Sequence, residues 1–443
     1  MSARVNPLVR WLARAACRVF YRIDCIGAAP GEGATLLLPN HPNSLLDPAL
    51  VWATAGRDVR FLAKSTLFEG PLRALLTGAG AIPVYRKQDQ GVDTARNAEM
   101  FAAVAEALAN GDAICLFPEG ISHSKGRLEP LRTGAARMAL AAERAGTPVM
   151  LVPVGLNFDR KTAFRSRVTV VFGPPFTGRD LLTVEEAGSP AAARDLTDRI
   201  AAHIRLLLIE ADPKADAALV ERVDRLYAAA RGRPADPAER LSRRRTIAAG
   251  IEQLRAGDPA KYDELLLRLR RYDQRLRRFG IRDRHLDWQV GSTDAIRFAL
   301  RELAIAVLLL PLCVAGLVAF FVPYRLTGLA AKLATREHDV IATAQVIAGL
   351  VIYGGWVAAL AAIAWQIGGR TLGVLTLLAI PPLALGSLFA LERESSVADA
   401  VRSWILLRRA RQDSRERLRR RRSELADVLD QVNRWMADRS LSP

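Results

Sequence analysis

Thr35-Leu36-Leu37-Leu38-Pro39-Asn40-His41-Pro42-Asn43-Ser44-Leu45-Leu46-Asp47-Pro48 decides how this chain is read. Thr35–Leu38 is a short apolar run of the kind that forms a buried strand, and Pro39 ends it. A turn-rich stretch follows at once, with Ser44 placed to cap a helix that opens on Leu45-Leu46-Asp47. One histidine and one carboxylate therefore stand close together at a strand end. A carboxylate that accepts a hydrogen bond from one imidazole nitrogen fixes the tautomer and leaves the other nitrogen free to take a proton from an alcohol. A His and an Asp at such a separation are also common in ordinary turns, where the Asp caps a helix.

Outward from this stretch the same grammar repeats. Val59–Leu62, Ala81–Val84, Ile114–Phe117, Val149–Val154 and Val168–Phe172 read as buried strands, while Asn97–Ala109 and Thr133–Ala145 are Ala-rich with helical period. Strands alternating with helices predict an α/β domain over residues 30–180 with a largely parallel sheet, whose sites form in the loops at strand ends. Three of those loops carry chemistry. Gly80-Ala81-Ile82-Pro83-Val84-Tyr85-Arg86 sets a cation after a short strand, which suits a phosphate-bearing substrate or is a plain exposed arginine. Leu116-Phe117-Pro118-Glu119-Gly120-Ile121-Ser122-His123-Ser124-Lys125-Gly126-Arg127 leaves a strand into a Gly-containing turn with a carboxylate, serines and groups able to bear positive charge. Leu151-Val152-Pro153-Val154-Gly155-Leu156-Asn157 is a strand ending in a turn, suited to walling an acyl chain.

In order and spacing these four segments resemble the glycerolipid acyltransferase superfamily, which includes glycerol-3-phosphate and lysophosphatidic acid acyltransferases; the resemblance covers roughly residues 30 to 175. It implies an αβ fold, His41 as general base with Asp47 as its partner, and Arg86 as a ligand of the acceptor phosphate. Glu119, Gly120 and Ser122 match the third block, implied to bind the glycerol or phosphate portion, and Pro153 matches the fourth. The first block departs from the usual form in having five residues, Pro42 to Leu46, between His and Asp. Asn40-His41-Pro42-Asn43-Ser44 with Asp47-Pro48 is similar to a branch that includes fungal-type sn-1 acyltransferases acting on glycerol 3-phosphate or dihydroxyacetone phosphate. The third block has Ile121 and Ser122 where Thr-Arg is common, so Lys125, Arg127 or Arg132 is expected to supply the cation. The implied donor is acyl-CoA or acyl-carrier protein, with neither metal nor redox cofactor. A lysophospholipid acceptor is the alternative within the enzyme class, and an inactive membrane-anchored lipid-binding protein the alternative outside it.

The flanks speak of a membrane. The chain of 443 residues is 50% apolar yet carries a formal charge of +17, which points to a polyanionic surface. No basic motif interleaved with aromatics favours nucleic acid. Arg10, Arg14, Arg18 and Arg22 recur every four residues, so residues 1–29 are expected to form a basic amphipathic interfacial helix lying on anionic headgroups, or else packed on the domain, and not a secretory signal. Residues 181–297 are Ala-, Arg- and Glu-rich and read as a charged helical extension. In 298–392, residues 303–322 are charge-free and interrupted by Pro311 and Gly316, a re-entrant segment or a span. Spans are expected at 341–365 and 372–391, on either side of Arg370. The Arg-rich tail, 393–443, is placed in the cytoplasm by the positive-inside rule, together with the catalytic domain. The four cysteines lie far apart, which suggests neither a metal cage nor a disulfide framework.

Overall fold

A computed structural model describes residues 6–69, 73–85, 97–123, 125–178, 189–211, 214–232, 236–279, 283, 286, 292–334, 341–409 and 412–440. The chain divides into two units, Met1–Ala218 with Ala235–Ala248 and Arg336–Thr343, and Leu219–Pro234 with Ala249–Thr335 and Ala344–Pro443.

The first unit opens with helix α1 (Pro7–Phe20) and strand β1 (Tyr21–Ile26), then β2 (Thr35–Pro39), α2 (Leu46–Thr54), β3 (Val59–Lys64), α3 (Arg73–Gly78), β4 (Ile82–Val84) and α4 (Asn97–Ala109). It continues with β5 (Ala113–Cys115), α5 (Gly134–Arg144), β6 (Met150–Phe158), β7 (Ser166–Phe172) and α6 (Pro190–Arg205). The strands form one sheet in the order β1-β7-β6-β2-β5-β3-β4, parallel at every junction except β6–β7. This is the expected α/β architecture with a largely parallel sheet. β2 lies centrally, and all five of its residues are buried. Because strand side chains alternate, Leu36 and Leu38 face the layer of α4, α5 and α6, packed with Val104, Leu140, Leu196 and Ile204. Each such fully buried side chain contributes about 1.5–3 kcal/mol.

Two boundaries differ from the expectation. Residues 21–26 do not continue the first helix: Tyr21-Arg22-Ile23-Asp24-Cys25-Ile26 pairs in parallel with β7 as an edge strand. Helix α6 lies beyond residue 180, yet Leu196, Ile200 and Ile204 complete the core of the sheet. α1 itself is docked as well as amphipathic. Cys17 and Phe20 are buried and Arg10 pairs with Asp58, while Trp11, Leu12 and Val19 remain exposed.

The remaining helices are α7 (Lys214–Arg231), α8 (Pro237–Gly257), α9 (Pro259–Phe279), α10 (Ser292–Ala334), α11 (Ile341–Arg409) and α12 (Gln412–Ser440). In the second unit, Arg222 of α7 binds Asp273 of α9 at 2.5 Å and Asp283 at 2.9 Å, and Tyr272 donates to Asp283 at 2.8 Å. Arg422 of α12 donates to the Asp283 carbonyl at 2.9 Å, so one ionic cluster ties three helices.

α10 runs through Pro311 and Gly316 without a break in its helical assignment, so the interruption expected there is absent. α11 leaves helical geometry at Gly368 and Gly369, where φ is −129° and +69°. It then folds back on itself. A side chain at Gly373 would stand 3.1 Å from Trp365 Cβ and 3.4 Å from the Ala361 carbonyl. Twelve residues of straight helix would instead separate 361 and 373 by about 18 Å. α10 packs beside this hairpin through small residues, Gly316 against Ser387, with Trp356 Nε1 donating to the Ala319 carbonyl at 2.8 Å. Val318, Leu333, Ile367 and Leu378 point outward and exposed. Thr343–Ser387 is long and apolar enough to cross a membrane.

Candidate active site

The carboxyl ends of β2 and β5, neighbours in the sheet, deliver the two loops that build the site. Asn40 fastens the first to β6: its side chain accepts from Leu156 N at 2.7 Å and donates to the Leu156 carbonyl at 3.3 Å. His41 follows, and its Nδ1 lies 2.8 Å from Asp47 Oδ2. The five intervening residues are accommodated by Ser44, which adopts φ +49°, a left-handed conformation rare for a non-glycine residue. Ser44 is accordingly not the helix cap; the turn closes by backbone bonds from Leu46 N to Asn43 O and from Asp47 N to Ser44 O, both 3.2 Å. The strain is held by the second loop, since Ser44 N donates to Ser122 Oγ at 3.0 Å.

Asp47 is fully buried, and its Oδ2 also accepts from Asn43 N at 2.6 Å. Burial pushes its carboxyl above the usual carboxylate range, opposed by the His41 and Asn43 bonds and the charge of Lys161. With Nδ1–H donated to Asp47, His41 presents Nε2 as the acceptor, and the ring is stacked on Phe117 at 4.0 Å. Asn43 Nδ2 donates to the Tyr21 hydroxyl at 2.8 Å, and that hydroxyl donates to the Lys161 carbonyl. Burial raises both the Tyr21 hydroxyl and the Cys17 thiol, the latter to about 12, so both stay neutral beside the dyad.

Glu119 holds His41 from the other side. Its Oε1 accepts from His41 N at 2.6 Å, and its Oε2 accepts from Glu129 N at 2.9 Å and from His123 Nε2. His123 N in turn donates to the His41 carbonyl at 3.1 Å. Glu119 is 2% exposed and both its oxygens are taken by protein donors, which is the geometry of a positioning group and not of a substrate ligand. Gly120 turns the chain at φ +74°, and a Cβ there would meet Arg132 Cγ at 3.2 Å, so the Arg132 side chain lies over this turn.

The other expected residues lie around this centre. Ser122 serves the Ser44 backbone, as above. Lys125 is exposed and pairs with Glu129 at 2.6 Å, and Arg127 is exposed on the same loop. Pro153 sits inside β6 opposite Leu38. Arg86 lies outside the described residues. Lys161 was not signalled by any motif: its Nζ donates to the Pro42 carbonyl at 3.0 Å and the His123 carbonyl at 3.5 Å, bringing a cation to both loops. Among the described residues no three His, Cys, Asp or Glu side chains gather as a metal-binding group.

Residues 22–157, which hold all of this except Cys17, Tyr21 and Lys161, match the family model described as Acyltransferase. The chain carries an acyltransferase-family domain. Glycerol-3-phosphate O-acyltransferase 1 of Saccharomyces cerevisiae is 33% identical over 134 residues, 29% of this chain and 18% of that protein. An uncharacterized acyltransferase of Schizosaccharomyces pombe is 26% identical over 283 residues, 62% of this chain and 39% of that protein. These matches take in less than half the length of either fungal protein. The crystal structure of the 1-acyl-sn-glycerophosphate acyltransferase of Thermotoga maritima aligns with a TM-score of 0.33 and 17% identity, covering 46% of this chain and 79% of that one.

Proposed function

We propose that this protein transfers a fatty acyl group from an acyl thioester, acyl-CoA or acyl-carrier protein, to a hydroxyl of glycerol 3-phosphate or a related glycerophosphate. The observation that carries the reading is the His41–Asp47 contact at the carboxyl end of β2, with Nε2 open. His41 Nε2 takes the hydroxyl proton as the oxygen attacks the thioester carbonyl; Asp47 stabilises the imidazolium, and the proton leaves on the departing thiol. No covalent acyl-enzyme is required. Arg86, Lys125, Arg127, Arg132 and Lys161 are the cations proposed to seat the acceptor phosphate. Holding it beside His41 makes the attack effectively intramolecular, where much of the rate originates.

The apolar hairpin is proposed to cross the bilayer twice, at 341–365 and 372–391, with α10 alongside and the Arg-rich tail and catalytic domain facing the cytoplasm. A protein so anchored meets its lipid product in the membrane.

Thiol release from acyl-CoA by membranes holding the protein, offered glycerol 3-phosphate, dihydroxyacetone phosphate or lysophosphatidic acid, tests the activity. Release is expected with glycerol 3-phosphate and is expected to be lost in His41→Ala. Equal background rates for wild type and mutant with all three acceptors would sink the proposal, and release with the lysophospholipid alone would replace the acceptor.

A further inference from the structure

Tyr21 opens the edge strand β1 with 1% of its surface exposed, its ring edge-on to Phe20 at 4.8 Å and to Phe158 at 5.4 Å. The register of β1 on β7 sets Tyr21 opposite Ser166, and the bond from Arg165 N to the Phe20 carbonyl at 2.6 Å fixes the same joint. The hydroxyl is thereby aimed at the loop that carries His41. It accepts from Asn43 Nδ2 at 2.8 Å and donates to the Lys161 carbonyl, and burial, which raises it above the ordinary phenol range, keeps its proton in place.

Asn43 is the next link. It is fully buried, and among the described residues its Oδ1 has no donor, so the Tyr21 hydroxyl is what holds the amide. Its backbone N–H donates to Asp47 Oδ2 at 2.6 Å. Asp47 Oδ1 likewise has no donor among the described residues, so both bonds that aim the carboxylate meet at Oδ2, one from Asn43 N and one from His41 Nδ1 at 2.8 Å. The carbonyl of that same peptide, Pro42 O, accepts from Lys161 Nζ at 3.0 Å. A cation on the oxygen polarises the peptide and makes its N–H the stronger donor. The Pro42–Asn43 peptide is thus held at its oxygen by Lys161 and, through the Asn43 side chain, by Tyr21, with its N–H turned to Asp47.

We propose that Tyr21 is a positioning residue of the acyl transfer: its hydroxyl, set between Asn43 and Lys161, orients the Pro42–Asn43 peptide that aims Asp47, and through Asp47 keeps His41 in the tautomer with Nε2 open. The proposal rests on the acyl-transfer reading and adds to it a residue that acts at two links' remove from the base.

Two variants test it. Tyr21→Phe deletes the hydroxyl and keeps the ring, while Asn43→Ala cuts the chain at its next link and leaves the packing around Tyr21 alone. Circular dichroism melts establish that both are folded. Each is expected to lower kcat by about ten- to a hundredfold, the scale of a small misplacement made away from the chemistry, with the KM of both substrates unchanged. On an Asp47→Asn background, Tyr21→Phe is expected to cause no further loss, because nothing is left for it to aim. Isotope-edited imidazole spectra of the histidine-labelled full chain in detergent, with the His41 signals assigned by their absence in His41→Ala, read the tautomer without substrate. They are expected to show Nδ1–H in wild type and a mixture in both variants. Variants that keep the wild-type kcat and tautomer, or a Tyr21→Phe loss that recurs in full on Asp47→Asn, overturn the proposal. A tautomer that shifts in both variants of a protein that acylates no acceptor upholds the positioning role and removes the acyl-transfer reading.

Discussion

Asp47 is the residue where function and stability pull apart. Its carboxyl is raised by burial, so the folded state favours the protonated form. That contribution is in place below the ordinary carboxylate range and is lost as pH climbs through the raised value; at neutral pH, where the unfolded carboxyl is ionised, the buried Asp47 is a burden on folding. Asp47→Asn is therefore expected to melt at or above the wild-type temperature at pH 7, with the gap closing as pH falls toward 4, while activity drops by about 10³–10⁴-fold as in other His–carboxylate pairs. Differential scanning calorimetry across pH, beside the thiol-release assay, checks both halves; an Asn variant that is active or markedly less stable at neutral pH contradicts the account. Besides its ring contacts with Asp47 and Phe117, His41 is held by backbone bonds to Glu119 and His123, which remain when the ring is removed. His41→Gly is accordingly expected to regain measurable activity when free imidazole is added, with Phe117 as the stacking floor; no response at tens of millimolar imidazole argues against an intact cradle. The pairing of His41 and Asp47 could be read from the sequence because only five residues separate them. Tyr21, Glu119 and Lys161 stand 20, 78 and 120 positions from His41, and their roles depend on which strands become neighbours, which no local pattern records.

At the scale of elements, the legible strands were those whose continuous apolar runs announce them, the edge strand β4 included. β1 was hidden because Tyr21-Arg22-Ile23-Asp24-Cys25-Ile26 follows a run of arginines at helical spacing, and its polar members sit at a sheet edge, where Arg167 pairs with Asp24 at 2.7 Å. α6 was set apart from the catalytic domain because its composition resembles the charged helices after it; only its buried stripe of Leu196, Ile200 and Ile204 betrays the sheet beneath. The fourth block owes its glycine to this same packing. A Cβ on Gly155 would stand 2.7 Å from Leu207 Cβ and 2.8 Å from the Leu207 carbonyl, just past the end of α6. Gly155→Ala is expected to cost about 1–3 kcal/mol, as overpacking does, read as a lower midpoint in denaturant titration. An unchanged midpoint would show that the segment after α6 yields freely.

For the molecule as a whole, the sequence told where apolar surface lies but not how it is arranged. Two separate apolar runs, 341–365 and 372–391, were expected on either side of Arg370, and the positive φ of Gly369 folds them into a hairpin. With Leu333, Ile367 and Leu378 exposed among the described residues, the full chain is expected to stay in the pellet when membranes are washed with alkaline carbonate. Release into the supernatant would reduce the attachment to surface charge. Maleimide labelling of cysteines placed in the tail of intact cells reads the orientation: a tail reached from outside contradicts two crossings. The order of these parts along the chain also bears on how the protein is made. The sheet and the helices that close its core are finished by Ala211, and Thr343–Ser387 begins more than a hundred residues later. At roughly 5–20 residues per second, a ribosome needs on the order of ten seconds to traverse that interval, far longer than small domains take to fold. The catalytic domain can thus be complete before the hairpin exists to recruit the insertion machinery. On the proposed reading, the site would form in the compartment of translation and the apolar hairpin would follow it there.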